Sequence, residues 1–263
     1  MPKDDVLYTK DNGIATITLN RPRARNAVSW EMHDLLDEAL DDAAADDAVR
    51  VVILTGTDPS FCSGTDVRGG MAPSAESRLA ELPKGTGERR LSWKFVDVAK
   101  PTIAAVNGAA VGMGVEFATQ CDIRIASEKA RFGWIFPQRG LIPDTGAGTY
   151  LLPRIVGLSK ACELVFSGEI IDADEALRIG VVSKVVPHEQ LMPAAREMAL
   201  KFCKGAPLSL RWAKQLIYRG LERDLETHAA FTSQLLGMCF QTEDHQEGVK
   251  SFLEKREPVF KGR

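Results

Sequence analysis

The residues best placed to do chemistry lie in one stretch, 101–122 (PTIAAVNGAAVGMGVEFATQCD), where a single glutamate, Glu116, sits among small and apolar neighbours. A carboxyl in apolar surroundings is costly unless paired or neutralised, so its position asks for a reason. Two readings fit. Glu116 is either a helix-capping or solvent-facing acid, or a general acid/base beside a backbone anion site. Such an anion site can be built from two glycine-bearing turns, Phe61-Cys62-Ser63-Gly64-Thr65-Asp66 and Gly112-Met113-Gly114, each of which follows an apolar strand. One N–H from each turn, held about 3 Å from a carbonyl oxygen, stabilises the charge that develops there. Side-chain identity matters little to a backbone donor, so Thr65 and Met113 serve as well as glycine does.

These turns must be positioned by strands and helices. Residues 103–106 form a small apolar run stopped by Asn107-Gly108, a strand ending in a turn, and 115–120 reads as helix. Residues 49–54 are near-continuously apolar, as in a strand buried on both faces. Asn12-Gly13 is a hairpin turn, and 14–19 alternates with Ala15, Ile17 and Leu19 on one face. Ser29 is a good N-cap, with Met32, Leu35, Leu36, Ala39 and Leu40 following at helical spacing. Another short strand is expected at 123–126, and helices at 91–98 and from Gly148 to near Gly157. Residues 69–90 carry Gly69, Gly70, Pro73, Pro83, Gly85 and Gly87 among charges, the composition of a functional lid or a disordered loop. Beyond Pro187, three amphipathic segments at 189–204, 206–222 and 225–255 make a helical C-terminal part. The order of elements implies α/β architecture, with a core at 1–200 and a helical region at 201–263.

Composition narrows the function classes. With 263 residues, 44% hydrophobic and 26% charged, the chain can bury a large core. A net charge of -3 argues against nucleic acid and anionic membranes as partners. No apolar run reaches the roughly 18 residues of a membrane span. The polar N-terminus lacks a signal-peptide core, which points to the cytoplasm. Five scattered cysteines without a CxxC pair imply reduced thiols and no zinc. There is no GxxxxGK[ST] and no GxSxG, and in the motif that begins at Gly112 the sixth position is Phe117, where a dinucleotide fingerprint needs glycine. His33, His188, His228 and His245 lie in charged, helix-like surroundings without metal-ligand spacing, so solvated helix positions are expected and metal is not.

Taken together and in order, a set of short motifs resembles the crotonase (enoyl-CoA hydratase/isomerase) superfamily over nearly the whole chain. They are Asn20-Arg21-Pro22 with Asn26-Ala27, the 61–66 turn, Lys100-Pro101, Asn107-Gly108, Gly112-Met113-Gly114 with Glu116, and Cys121-Asp122. Phe132-Gly133, Gly140-Leu141-Ile142-Pro143-Asp144, Leu152-Pro153-Arg154 and 254–260 continue the series. The resemblance implies a spiral of ββα repeats, a C-terminal helical trimerisation region, and an acyl-CoA thioester as ligand. It implies a homotrimer or dimer of trimers. It also implies no metal and no cofactor beyond the CoA of the substrate. Carried over, Thr65 and Met113 form the oxyanion hole and Glu116 is the first catalytic glutamate. Arg23, Arg25, Ser63, Gly64, Thr65, Asp66 and Val67 line the CoA pocket, and Phe260 and Lys261 reach a CoA bound on a neighbouring subunit. One position departs: better-known hydratases carry a second glutamate where this chain has Phe136. The nearest replacement, Asp144, is either catalytic or the cap of the following helix. The expected activity is hydration of 2-enoyl-CoA thioesters. The alternatives are double-bond isomerisation by Glu116 alone, and acyl-CoA binding without chemistry.

Overall fold

In a computed structural model of the protein, residues 4–67 and 93–263 are described. The chain opens with a hairpin, β1 (Val6–Asp11) and β2 (Ile14–Leu19), paired antiparallel through the Asn12-Gly13 turn. After α1 (Trp30–Ala45), capped by Ser29 as its sequence predicts, the strands alternate between two sheets. β3 (Val51–Gly56), β5 (Thr102–Val106), β7 (Ile123–Ser127) and β10 (Lys184–Val186) join the hairpin in a six-stranded sheet of order β1-β2-β3-β5-β7-β10. β4 (Ser60–Cys62), β6 (Ala109–Val111), β8 (Arg131–Gly133) and β9 (Ile170–Asp172) form a second sheet of order β4-β6-β8-β9. β3, β5 and β7 are each followed by a three-residue strand in the other sheet. In the β5-β6 unit a helix then closes the turn, which is the ββα spiral that the resemblance implies.

The helices between the sheets and the chain end are α2 (Lys94–Asp97), α3 (Met113–Gln120), α4 (Ala147–Tyr150), α5 (Leu152–Val156), α6 (Leu158–Ser167), α7 (Ala173–Arg178) and α8 (Leu191–Cys203). β3 is buried along its whole length because it feeds two cores. Val52 and Leu54 pack with α1 and α3, while Val51 and Ile53 pack with Leu191, Ala195 and Ala199 of α8. That explains its unbroken apolar run. The single helix expected before Gly157 is two: Pro153, in the first turn of α5, lacks the N–H that would continue α4.

Beyond Cys203 follow α9 (Pro207–Gly220), α10 (Leu225–Phe240) and α11 (Glu243–Leu253). α9 is tied to the spiral by Lys214, whose ammonium donates to the carbonyls of Phe95 (2.9 Å) and Lys100 (3.1 Å) and pairs with Asp122 at 2.9 Å. The expected segment 225–255 divides where Thr242 caps α11 by accepting from the His245 N–H. Leu225, Phe252 and Leu253 on α10 and α11 stay 83%, 82% and 74% exposed. The glycine- and proline-rich stretch 69–90 and the first residues of the helix expected at 91–98 lie outside the described residues. No helix among the described residues is long and apolar enough to cross a membrane.

Candidate active site

The two turns singled out by sequence follow neighbouring strands, because β4 and β6 pair in parallel. Gly112 takes φ +57°, a left-handed conformation that turns the chain from β6 into α3. At Gly114 a Cβ would stand 2.2 Å from the Cys62 carbonyl oxygen, so only glycine lets α3 start directly on the end of β4. The same seating brings Gly64 to the Met113 amide: a Cβ on Gly64 would lie 3.6 Å from that nitrogen. Val28 donates to the Gly64 carbonyl and accepts from the Asp66 N–H, both at 2.8 Å. In a parallel bridge these bonds bracket Thr65 and turn its own N–H to the opposite side. Met113 opens α3, and the first N–H groups of a helix have no acceptor within it. Thr65 and Met113 therefore come from adjoining turns, each with an N–H that the local ladder or helix leaves over.

Glu116 lies one turn into α3 and is completely buried, which removes both the solvent-facing and the capping readings. The Thr145 hydroxyl donates to its Oε2 at 2.8 Å. Burial pushes the carboxyl up to about 7, and the charge of Asp144 pushes the same way. The Gly148 amide, the Thr145 hydroxyl and the Ala147 amide favour the charged form. Neither amide closes a well-aligned hydrogen bond on Oε1, which has no partner among the described residues. A carboxyl balanced near neutral pH can both accept and return a proton during one reaction cycle. Asp144 is half-buried, within electrostatic reach of Glu116 and of the Cys62 thiol. The helix after it is capped at Gly146, so Asp144 does not hold the N-cap position considered for it. Phe136 is buried in the main core with Phe132 and Trp134.

With this geometry described, comparison with known proteins gives a uniform result. The family model described as "Enoyl-CoA hydratase/isomerase" matches residues 9–263. The chain belongs to the enoyl-CoA hydratase/isomerase family. It is 40% identical over 258 residues to the short-chain-enoyl-CoA hydratase of Clostridium acetobutylicum, covering 97% of each chain. It is 38% identical to the 2,3-dehydroadipyl-CoA hydratase of Escherichia coli, covering 98% of this chain and 99% of the other. Among solved structures, an enoyl-CoA hydratase from Bacillus anthracis superposes with a TM-score of 0.89 at 32% identity, covering 98% of this chain and all of the other.

The remaining positions expected from the family resemblance fall into two groups. Arg23 and Arg25 are exposed on the turn that packs against residues 63–67: the Ser63 amide donates to the Arg25 carbonyl at 3.1 Å. That turn is fastened by buried Asn26, whose amide donates to the Thr57 carbonyl (2.7 Å) and the Ser60 carbonyl (2.6 Å). Asp66 accepts from Arg21 at 2.8 Å, an ion pair that braces the same turn, while Val67 is open to solvent. Phe260 and Lys261 are not brought to this cluster within one chain. The Phe260 carbonyl accepts from Arg50 at the start of β3, the end of the strand remote from the site. The Lys261 N–H donates to buried Asp244.

Sequence reasoning gave no role to Thr145, Gly148 and Trp134, which lie around Glu116, or to Arg21 and Asn26, which brace the 61–67 turn. Arg21 and Asn26 stood inside a quoted motif without a role, and the others had no signal beyond lying near Asp144. It also misjudged His188, which sits on a 3-10 turn rather than a helix and bridges Ser127 Oγ (3.1 Å) and Asp58 Oδ2 (3.0 Å). Ser127 is wholly buried, so this serine-histidine-aspartate contact is a structural link with no exposed nucleophile. No group of three or more histidine, cysteine, aspartate or glutamate side chains that could hold a metal occurs among the described residues.

Proposed function

We propose that this family member is an enoyl-CoA hydratase that adds water across the double bond of 2-enoyl-CoA thioesters. The observation that carries the reading is the fully buried Glu116, raised to about 7, on the same helical turn as the Met113 amide. In this scheme the thioester oxygen accepts from the N–H groups of Thr65 and Met113. Ionised Glu116 takes a proton from water as the oxygen bonds to the β-carbon and the double-bond electrons move onto the thioester oxygen. The resulting enolate collapses as its α-carbon takes a proton, with Glu116 and Asp144 sharing that work. Arg23, Arg25 and residues 63–67 hold the CoA portion; Asp66 contributes by bracing the turn through Arg21. No metal or separate cofactor enters the scheme.

The relatives named as hydratases support this choice. One observation favours isomerisation instead: Phe136, where a second glutamate is expected, is buried in the core and cannot move a proton. Rates on matched 2-enoyl and 3-enoyl thioesters decide between them. Asp144→Asn abolishes water addition if the two carboxyls act as a unit, and an unchanged hydration rate removes Asp144 from the mechanism. Acyl-CoA binding without turnover on either series would leave a binding protein.

The same reading makes the protein a homotrimer or a dimer of trimers in the cytoplasm. The exposed apolar residues of α10 and α11 support it, since a monomer gains nothing by presenting Leu225, Phe252 and Leu253 to water. In such an assembly the tail bearing Phe260 and Lys261 reaches a neighbour's CoA.

A further inference from the structure

Two polar atoms beside the site, one an acceptor and one a donor, have no hydrogen-bond partner among the described residues. They are Glu116 Oε1 and the indole Nε1 of Trp134, and both side chains are fully buried. Gly148 separates them. The Cβ it lacks would stand 2.6 Å from Glu116 Oε1 and 2.8 Å from Trp134 Cδ1, the carbon bonded to Nε1. The carboxylate and the polar edge of the indole thus close in on the same glycine, near enough to each other for one small molecule to touch both. Buried polar groups left without partners cost free energy, so a native site that keeps two together is built for a third party.

The chemistry of the pair identifies that party. An indole N–H can only donate, and an ionised carboxylate can only accept. A water molecule satisfies both at once: its oxygen accepts from Nε1 while one O–H points at Oε1. Held so, it keeps a lone pair free for attack, and the proton it loses has its acceptor already in line. Phe136 offers no such group.

We infer that Trp134 is a catalytic residue that holds the attacking water through its indole N–H, with Glu116 Oε1 as the base. The water O–H bond breaks toward Glu116, the oxygen bonds to the β-carbon, and the enolate takes up one proton at the α-carbon, so that H and OH are added overall. This rests on the hydratase reading, and the experiment separates the two.

Trp134→Phe is expected to lower kcat for water addition at least tenfold with KM nearly unchanged. Exchange of the α-protons of a saturated acyl-CoA in D2O, which needs Glu116 and the two amides but no attacking water, is expected to stay at the wild-type rate. Trp134→His, which restores an N–H donor, is expected to recover part of the loss. Unaffected hydration, or a parallel fall of both reactions, overturns the role. The second measurement needs no turnover. In 15N-labelled wild-type protein, the Trp134 indole resonance is expected to titrate with a midpoint near 7 that disappears in Glu116→Gln. In Asp144→Asn, which removes the charge facing Glu116, the midpoint is expected to fall. A flat Trp134 resonance overturns the contact. Should Trp134→Phe fail to fold, the resonance is assigned by replacing Trp30, Trp93 and Trp212 instead. Absence of water addition by the wild type removes the hydratase reading and the water-holding role with it, whereas hydration that survives Trp134→Phe unchanged removes the role alone.

Discussion

Glu116 at the entry to α3 and Glu247 on α11 are both helical glutamates, and their surroundings drive them in opposite directions. Glu247 faces the returning tail, where Arg256 grips it through two nitrogens at 2.5 and 2.9 Å and the Val259 N–H adds a third bond at 2.8 Å. Those partners hold its carboxyl down at about 2. Glu116 is buried far more deeply, makes no ion pair among the described residues, and has a hydroxyl and distant amides for company. Depth decides the one and the partner decides the other: burial raises Glu116, and the guanidinium holds Glu247 down. A carboxylate given a guanidinium is locked in one charge state and pins a chain end; one buried without a cation keeps a proton it can exchange near neutral pH. The spiral withholds a cation where chemistry is proposed, and the C-terminal region supplies one where a strap is needed.

The most severe way to break this contrast is Glu116→Gln, nearly the same shape with no exchangeable proton. Turnover on any productive thioester should fall by about 10²-fold or more with CoA affinity little changed. A variant with wild-type kcat would show that the denied cation has no catalytic meaning.

A second test reads stability rather than rate. Because the folded carboxyl of Glu116 titrates near 7, above its unfolded value of 4.5, the folded state holds the proton more tightly. Its contribution is fully present below pH 4.5 and is lost as pH rises through 7. Denaturant unfolding of the wild type should therefore lose of order a few kcal/mol across that window relative to Glu116→Gln. The variant should be the more stable protein at pH 8. Parallel stability curves for the two proteins would contradict the assigned burial.

The smallest effect belongs to the other partner of the comparison. Arg256→Ala should leave the melting temperature nearly unchanged at physiological ionic strength, since an exposed pair contributes little. It should instead free the tail, read as faster proteolysis within residues 256–263. A large loss of melting temperature would mean that the strap carries the fold as well as the tail.

Much of this arrangement was legible in the chain, for physical reasons that also mark where reading stopped. β3 and β5 announce themselves as apolar runs because both faces of each are buried, whereas β7 carries Arg124 and is half-buried at its first two residues. β4, β6, β8 and β9 have three residues each, too few for any period to show, and only the family resemblance implied a second layer. Glu116 was visible as an acid among small residues, and the turns around Thr65 and Met113 as glycines after strands. Thr145, Gly148 and Trp134 were not visible as site members. Their placement beside Glu116 depends on how the 134–148 segment is folded back over α3, which no local pattern encodes. His188 failed for the opposite reason: charged neighbours in sequence suggested a solvated helix, while its real partners, Ser127 and Asp58, are 61 and 130 positions away.

The two amides of the proposed oxyanion hole belong to the main chain and follow β4 and β6, whose separation is the sheet spacing of about 4.8 Å. Heredity acts on such groups differently from side chains. Every codon except proline's writes the same N–H at Thr65 and Met113, so point mutation cannot erase a donor there except by that one replacement. Vulnerability moves to the neighbours that aim them, above all Gly112 and Gly114. Saturation mutagenesis should find positions 65 and 113 permissive and 112 and 114 intolerant. A lineage built on this scaffold can therefore exchange its carboxyls and its acyl-facing side chains freely, while the two amides proposed to steady an enolate are inherited with the fold itself.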